Sequence, residues 1–202
     1  KGFDKSTIDI NGVIHGMIFG DGYGHKTYVS NGTTLSLQGK QYATIRLCKQ
    51  DSLQAEMFDY FIKAGYIPTY PTSTHGDPVF SLGYIPNIKD LPHTNDPNYI
   101  SGFIYGWWLA DGKKDHRKSW KISTIRKDAV EWMENYCSYA GFRFSGLSIR
   151  NENEGGFSNA KPLYQITFND YDIPTVRSIN YFGEDEVFCV EEPVTHGFVL
   201  AN

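Results

Sequence analysis

The segment Ile14-His-Gly-Met-Ile-Phe-Gly-Asp-Gly22 returns 90 residues later as Ile104-Tyr-Gly-Trp-Trp-Leu-Ala-Asp-Gly112. Both copies are almost wholly apolar before the aspartate, and a short helix that is apolar on every side must be buried. Small residues four positions apart let two helix backbones approach closely, and they are Gly16 and Gly20 in the first copy and Gly106 and Ala110 in the second. The repeat therefore predicts two buried helices, residues 13–20 and 102–110, packed on each other between two pseudo-symmetric halves.

The same order of elements follows each copy: an extended pair, an amphipathic helix and a second extended pair. In the first half these elements are predicted at 26–30 with 41–47, at 52–64 and at 67–84. In the second half they are predicted at 119–124, at 129–140 and at 143–168. Residues 86–97 contain three prolines and are interpreted as the linker between the halves. The pattern predicts an α+β protein.

Alternation along the predicted strands separates an apolar face from a polar face. In the first half Ala43, Ile45 and Leu47 alternate with Tyr42, Thr44 and Arg46. In the second half Tyr164, Ile166 and Phe168 alternate with Gln165 and Thr167. Because one face packs on helices, the polar face of each sheet is available to bind a ligand.

Each repeated helix ends in Asp-Gly, at Asp21 and at Asp111. A carboxylate at a helix C-terminus faces the negative end of the helix dipole, which costs about 0.3–1 kcal/mol. If the two helices pack in parallel, the two carboxylates also repel each other unless a cation lies between them. Oxygen ligands that leave room for water and phosphate are typical of Mg²⁺ sites. The alternative is that Asp-Gly only forms a turn, but its repetition in matched context favours a metal site.

The charge is distributed unevenly along the chain, whose formal net charge is -4. Seven of the 19 basic residues lie between positions 113 and 127, namely Lys113, Lys114, Arg117, Lys118, Lys121, Arg126 and Lys127. The residues from 178 onward contain five acids and no Lys or Arg, so without them the net charge changes from -4 to +1. A basic patch of this kind is usually a solvated face, and it is also the pattern of a nucleic-acid-binding surface.

Composition excludes several classes of protein. No apolar run has the length of a membrane span, and the first residues lack the order of a signal peptide. Three cysteines without a CxxC spacing fit reduced, buried thiols better than disulfides or a zinc site. We therefore expect an intracellular protein that does not associate with a membrane.

The two repeated segments resemble the motifs of the LAGLIDADG homing endonucleases. Gly16-Met-Ile-Phe-Gly-Asp-Gly22 and Gly106-Trp-Trp-Leu-Ala-Asp-Gly112 look like the two motif copies of a double-motif member, and the first copy departs more, at His15, Phe19 and Gly20. The resemblance extends over residues 10–177 in the order of elements. It implies two pseudo-symmetric αββαββα repeats, with two four-stranded antiparallel sheets forming a saddle over DNA around two packed helices.

The resemblance also implies an activity, which is site-specific hydrolysis of both strands of DNA by a monomer, with Mg²⁺ or, as a substitute, Mn²⁺. The implied metal site is Asp21 and Asp111 with the preceding residues Gly20 and Ala110. Basic residues near the scissile phosphates are expected at Lys89 and Lys161. The residues expected to contact DNA are Lys26, Tyr28, Tyr42, Thr44, Arg46, Lys113, Lys114, Arg117, Lys118, Lys121, Ser123, Gln165 and Thr167.

The C-terminal residues 186–202 do not belong to the repeat and look like a splicing block of an intein, with a strand followed by His-x-Phe and a small residue before Asn. The expected domains are a first half at 1–88, a linker at 89–100, a second half at 101–177 and an intein-like β segment at 178–202. A separate N-terminal intein fragment is a possible partner. Two alternatives to the nuclease stay open, a cleavage-deficient nucleic-acid-binding protein (an RNA maturase or a DNA-binding regulator) and a fragment of a split intein.

Overall fold

The computed structural model describes residues 3–30, 35–48, 52–84, 88–114, 119–150 and 162–170, with the side chains of 24–42, 84, 114 and 170 outside the description. The helices are α1 (Ile10–Asp21), α2 (Ser52–Lys63), α3 (Pro97–Asp111) and α4 (Lys127–Tyr136). The strands are β1 (Tyr23–Ser30), β2 (Leu35–Arg46), β3 (Val79–Tyr84), β4 (Gly112–Lys114), β5 (Trp120–Thr124), β6 (Phe142–Arg150) and β7 (Leu163–Asp170). Two short 3₁₀ helices lie at Thr72–Thr74 and Cys137–Ala140.

The repeated segments form α1 and α3, and both helices begin earlier than predicted because an aspartate caps each N-terminus. The Asp9 carboxylate accepts hydrogen bonds from the amides of Asn11 and Gly12, at 2.7 and 3.0 Å. Asp96 accepts from the amide of Asn98 at 2.9 Å, and a proline follows it at the first helical position. As a result α3 begins at Pro97, inside the segment 89–100 that was assigned to the linker.

The packing of α1 on α3 repeats itself with the 90-residue offset of the sequence. A Cβ built on Gly16 would lie 2.0 Å from the Phe103 carbonyl oxygen, and one on Gly106 would lie 2.0 Å from the Val13 carbonyl oxygen. The contacts between the helices move toward the C-terminus of both together, from Gly12 beside Tyr99 to Gly20 beside Ala110. The helices are therefore parallel. The predicted close approach of two pseudo-symmetric helices is confirmed.

Two antiparallel sheets flank the helix pair, with strand orders β1-β2-β3 and β4-β5-β7-β6. In the first sheet, where four strands were expected, the described residues form three. Where the fourth strand was expected, the described residues form a single antiparallel β-bridge between Thr69 and Val79. Pro68, Pro71 and Pro78 surround this bridge, and proline cannot donate a backbone hydrogen bond to a sheet. The α+β class and the two antiparallel sheets around two packed helices are as predicted.

The apolar faces of the strands pack on the helices as the alternation predicts. Ala43, Ile45 and Leu47 are buried in the first sheet, and Ile166 and Phe168 are fully buried in the second. Gly65 and Gly141, with φ of 85° and 74°, follow the helical segments as expected. Every described helix is too short or too polar to cross a membrane. Of the described cysteines, Cys137 is buried as expected whereas Cys48 is exposed, and both are unpaired.

The segment before α1 packs into the second half. Phe3 is 9% exposed, and its ring centroid lies 4.5 Å from that of Phe142, 4.7 Å from that of Tyr105 and 5.0 Å from that of Trp120. Lys5 forms an ion pair with Glu56 on α2. The two halves therefore share one core. The chain divides between Asp172 and Ile173 into two units, and the second unit, with the predicted segment 178–202, lies outside the described residues.

Candidate active site and nucleic-acid interface

Asp21 and Asp111 are the last residues of the two packed helices, and both are exposed. The amide of the following glycine closes each helix, from Gly22 to the Ile18 carbonyl and from Gly112 to the Trp108 carbonyl. Strand β1 begins at Tyr23 and strand β4 at Gly112. Each carboxylate therefore lies at the junction of a helix with the first strand of its sheet.

The four residues assigned to a metal site belong to one locality. A Cβ on Gly20 would lie 2.6 Å from the Cβ of Ala110 and 2.9 Å from Oδ2 of Asp111. The missing side chain of Gly20 is what lets the second carboxylate approach the first helix, next to Asp21. The indole Nε1 of Trp107 donates to the same Asp111 Oδ2 at 3.2 Å and orients that carboxylate.

The donor set of this locality fits an open magnesium site. The described residues contain no group of three or more His, Cys, Asp or Glu side chains that would enclose a metal ion. Mg²⁺ is typically held by one or two carboxylates, with water and substrate phosphate completing its octahedral shell. Two exposed carboxylates at the ends of adjacent helices provide such an open arrangement.

Lys89 lies beside this locality, but its ammonium is directed at the end of α1. Its Nζ donates to the carbonyls of Phe19, Ile18 and Gly22 at 2.7, 2.8 and 2.9 Å, and lies 3.3 Å from that of Gly20. Burial lowers the pKa of Lys89, while the charges of Asp111 and Asp21 raise it and that of Arg126 lowers it. The ammonium thus supplies a positive charge at the negative end of the α1 dipole. This contact with the helix end was not anticipated from the sequence.

Arg126, one of the seven clustered basic residues, contacts other residues of this protein. Its guanidinium pairs with Asp128 at 2.5 Å and donates through Nη1 to the Lys89 carbonyl at 2.8 Å. It also lies over the Phe19 ring, 4.8 Å from the centroid. Lys127 pairs with Glu131 at 3.5 Å. Two of the seven clustered basic residues therefore bind side chains of this protein.

The remaining basic residues of the patch are described in part. Lys113 is exposed and Lys121 is half-buried. The side chain of Lys114 lies outside the description, as do Arg117 and Lys118 entirely, and so does the candidate Lys161.

The second sheet places several predicted contact residues in rows on its polar face. Lys113 is opposite Lys121, and Lys121 is opposite Thr167. Ser123 and Gln165 form the next row of this face. The inward neighbours Ile122 and Ile166 are fully buried, which fixes the direction of the polar face. The polar rows begin beside Asp111, because β4 follows it directly.

In the first sheet, three of the predicted contact residues lie on strands whose pairing includes an irregularity. Tyr42 is opposite His25, and Lys26 is opposite Gln41 in the adjacent pair, while Tyr28 is opposite Leu37 beyond an irregularity. The side chains of these residues lie outside the description, and their contact with DNA stays a prediction.

Thr44 and Arg46 line a cleft of 520 Å³ that also includes Asp21 and Tyr23. Arg46 is already paired, since its Nη2 lies 2.6 Å from the Asp77 carboxylate and 3.0 Å from the Thr74 carbonyl oxygen. The hydrogen bond that Arg46 donates to Asp77 raises the pKa of Arg46. A phosphate that binds through Nε or Nη2 of Arg46 therefore competes with Asp77.

His15, one of the departures from the family motif, is a buried polar residue. Its Nε2 lies 2.9 Å from the Asp90 carbonyl oxygen and its Nδ1 lies 3.0 Å from the Tyr99 hydroxyl. Because a carbonyl only accepts, Nε2 donates to Asp90, and Nδ1 accepts from Tyr99 in the neutral ring. Burial lowers the pKa of His15. The histidine thus fixes the linker residue that follows Lys89.

The sequence matches no protein-family model and no curated protein. Among solved structures, it is similar to a variant of I-DmoI in complex with its target DNA and 2 mM Mn, with 13% identity, a TM-score of 0.48 and coverage of 79% of this chain and 86% of that one. It is also similar to full-length DUF199/WhiA from Thermatoga maritima, with 10% identity, a TM-score of 0.48, and coverage of 78% of this chain and 50% of that one.

A third similar structure is the N-terminal LAGLIDADG domain of DUF199/WhiA, with 9% identity, a TM-score of 0.46 and coverage of 83% of this chain and 79% of that one. The chain thus spans about half the length of full-length WhiA. At these identities no residue's role carries over from one protein to another.

Proposed function

We propose that this chain is a site-specific endonuclease that hydrolyses phosphodiester bonds in both strands of double-stranded DNA with Mg²⁺. The observation that carries the proposal is the placement of Asp21 and Asp111 at the same end of two parallel helices in close contact. Each carboxylate lies where the helix dipole disfavours it, by about 0.3–1 kcal/mol. A pair of such residues, related by the 90-residue offset, supports a site with one carboxylate for each strand of DNA.

Asp21 with the Gly20 carbonyl, and Asp111 with the Ala110 carbonyl, would hold Mg²⁺ at one strand each. When bound, Mg²⁺ (or Mn²⁺) supplies Lewis acidity for the attacking water and the leaving oxygen. The protein's own residues orient the site. Trp107 fixes the Asp111 carboxylate, and Lys89 offsets negative charge at the end of α1.

The polar face of the second sheet supports DNA as the substrate. Lys113, Lys121 and Thr167 form a row that begins beside Asp111, and basic and hydroxyl side chains of this kind contact phosphates. Base recognition would fall to residues such as Ser123 and Gln165 in the next row. Two motif copies in one chain make a monomer sufficient to bring both carboxylates to one duplex.

Cleavage of plasmids that carry candidate insertion-site sequences, in Mg²⁺ or Mn²⁺, tests this function. We expect Asp21→Asn and Asp111→Asn each to yield nicked circles, because one strand retains its carboxylate. The double variant should lose cleavage by at least about 10³-fold while still binding DNA. Asp59→Asn, an exposed aspartate on α2, is the matched control and should cut like the unmodified protein.

Three outcomes would contradict the proposal. Specific DNA binding with no cleavage in either metal would make the chain a DNA-binding regulator, and specific binding of RNA alone would favour a maturase. Equal cleavage by the double variant would remove Asp21 and Asp111 from the reaction.

We also propose an intein origin and an intracellular location for the protein. The intein origin is supported by the sequence of residues 186–202, which contains a His-x-Phe. A neighbouring reading frame that encodes an N-terminal splicing segment is the expected genomic observation. A neighbourhood without any splicing segment would favour a free-standing endonuclease.

A further inference from the structure

Arg126 connects the second half of the protein to the end of α1 through three kinds of contact. Nη1 donates to the Lys89 carbonyl at 2.8 Å, Nε and Nη2 bind the two carboxylate oxygens of Asp128, and the guanidinium lies over the Phe19 ring. The planar, five-donor guanidinium is the side chain suited to such simultaneous contacts. Arg126 is therefore oriented by Asp128 on its own half and contacts Lys89 of the linker and Phe19 of the first half.

Lys89 transmits this contact to the helix that carries Asp21. Its backbone carbonyl accepts from Arg126, and its ammonium donates to the carbonyls of Ile18, Phe19 and Gly22. The next residue in the chain, Asp90, is held through its carbonyl by the buried His15. The linker is thus fixed at two successive carbonyls, and the ammonium is placed on the last turn of α1.

Phe19 shows that the degenerate first motif is adapted to this arrangement. Its ring packs against Phe103 and Trp107 of α3, with centroid distances of 5.2 and 5.0 Å, and supports the Arg126 guanidinium. Cation–π contacts with arginine stabilise such an orientation. The departure from the family motif at this position coincides with a contact between the halves.

We propose that Arg126 is a positioning residue, through which the second half of the protein orders the last turn of α1 and hence Asp21, with Lys89 as the intermediate. This role rests on the proposed function only in that the proposed function assigns Asp21 to DNA hydrolysis. Arg126 acts through the Lys89 backbone carbonyl, and the Phe19 ring supports its guanidinium.

Amide hydrogen exchange of the full chain without DNA tests the proposal at two matched amides. The Gly22 amide donates to the Ile18 carbonyl, which also accepts from Lys89, and the Gly112 amide closes α3 in the same way. We expect Lys89→Met to speed exchange at Gly22 by about tenfold, as expected when charge-assisted hydrogen bonds to a helix end are lost. Arg126→Ala should speed it by about threefold to tenfold, and both variants should leave Gly112 unchanged.

The double variant decides whether Arg126 acts through Lys89. If it does, exchange at Gly22 in Arg126→Ala/Lys89→Met should equal that in Lys89→Met alone, since coupled residues are not additive. Lys127→Ala removes an adjacent, exposed positive charge and should leave both amides unchanged. Additive effects at Gly22, or equal acceleration at Gly22 and Gly112, would overturn the role, the second because it reports general loss of structure.

The two proposals fail separately in this design. If Gly22 responds as described but no DNA is cut, the positioning role holds and the nuclease proposal fails. If DNA is cut but Arg126→Ala leaves Gly22 exchange unchanged, the nuclease proposal holds and Arg126 has no positioning role. For a DNA that is cut, Arg126→Ala should raise the ratio of nicked to linear product, because the substitution misplaces Asp21 and leaves Asp111 in position.

Discussion

Substituting alanine for the glycines between α1 and α3 measures how far stability depends on their close approach. A Cβ at Gly16 or at Gly106 would lie 2.0 Å from a carbonyl oxygen of the partner helix. An ordinary contact of carbon with oxygen is about 3.3 Å, so the helices must separate by about 1.3 Å. Backbone atoms cannot rotate out of the way, which places the cost of overpacking near its usual upper value of about 3 kcal/mol.

Alanine is more favourable in a helix than glycine by about 1 kcal/mol, which offsets part of this cost. We therefore expect each substitution to lower the free energy of unfolding by about 2 kcal/mol or more. The corresponding decrease in Tm is about 4–8 °C. Urea unfolding followed by tryptophan fluorescence gives the free energy directly. Gly146→Ala is the matched control, because a Cβ there meets nothing within 4 Å, and it should change stability by less than about 0.5 kcal/mol.

The two pseudo-symmetric pairs of glycines differ in how tightly they pack, so the expected loss of stability differs between the pairs. A Cβ at Gly12 or at Gly102 would lie 2.4 Å from the opposing carbonyl oxygen, a milder overlap than at Gly16 and Gly106. Substitutions within each pair should have similar effects, and those at the tighter pair should be larger. If Gly16→Ala and Gly106→Ala behave like Gly146→Ala, the two helices do not pack as described.

Two further predictions concern charge. The buried His15 binds a proton less readily when folded than when unfolded, so stability should fall as pH decreases below 6.5, by up to about 1.4 kcal/mol per pH unit. His15→Gln should remove this slope from urea-unfolding measurements, and an unchanged slope would assign it to other groups. In salt-dependent DNA-binding titrations, Asp77→Asn should release Arg46 to a phosphate and steepen the log–log slope by about one unit. If Arg46→Gln leaves the slope of the Asp77→Asn protein unchanged, Arg46 does not contact DNA.

The helix pair could be predicted from the sequence because its determinants are local and repeated. Small residues at Gly16 and Gly106 and apolar neighbours on every side allow few arrangements other than a buried, close pair. Strand alternation identified the buried faces for the same reason, since a period of two is visible within a few residues. The starts of α1 and α3 were missed because Asp9 and Asp96 cap turns that carry no apolar repeat.

The contacts around the candidate site could not be predicted, because they join residues far apart in sequence. Arg126 is separated from Lys89 by 37 positions and Arg46 from Asp77 by 31. A run of basic residues contains no information about which of them have acidic partners within the fold. The departure at Phe19 was the one local signal, and its meaning depends on where Arg126 lies.

The burial of Phe3 in the second half sets an order of events during synthesis. Its neighbours Phe142 and Phe168 leave the ribosome long after it, since 165 residues separate Phe3 from Phe168. At about 5–20 residues per second, this interval lasts roughly 8–33 s. During that time α1 can form and Lys5 can pair with Glu56, but the group of rings around Phe3 is incomplete. The Phe3 side chain is therefore among the last to reach its final position.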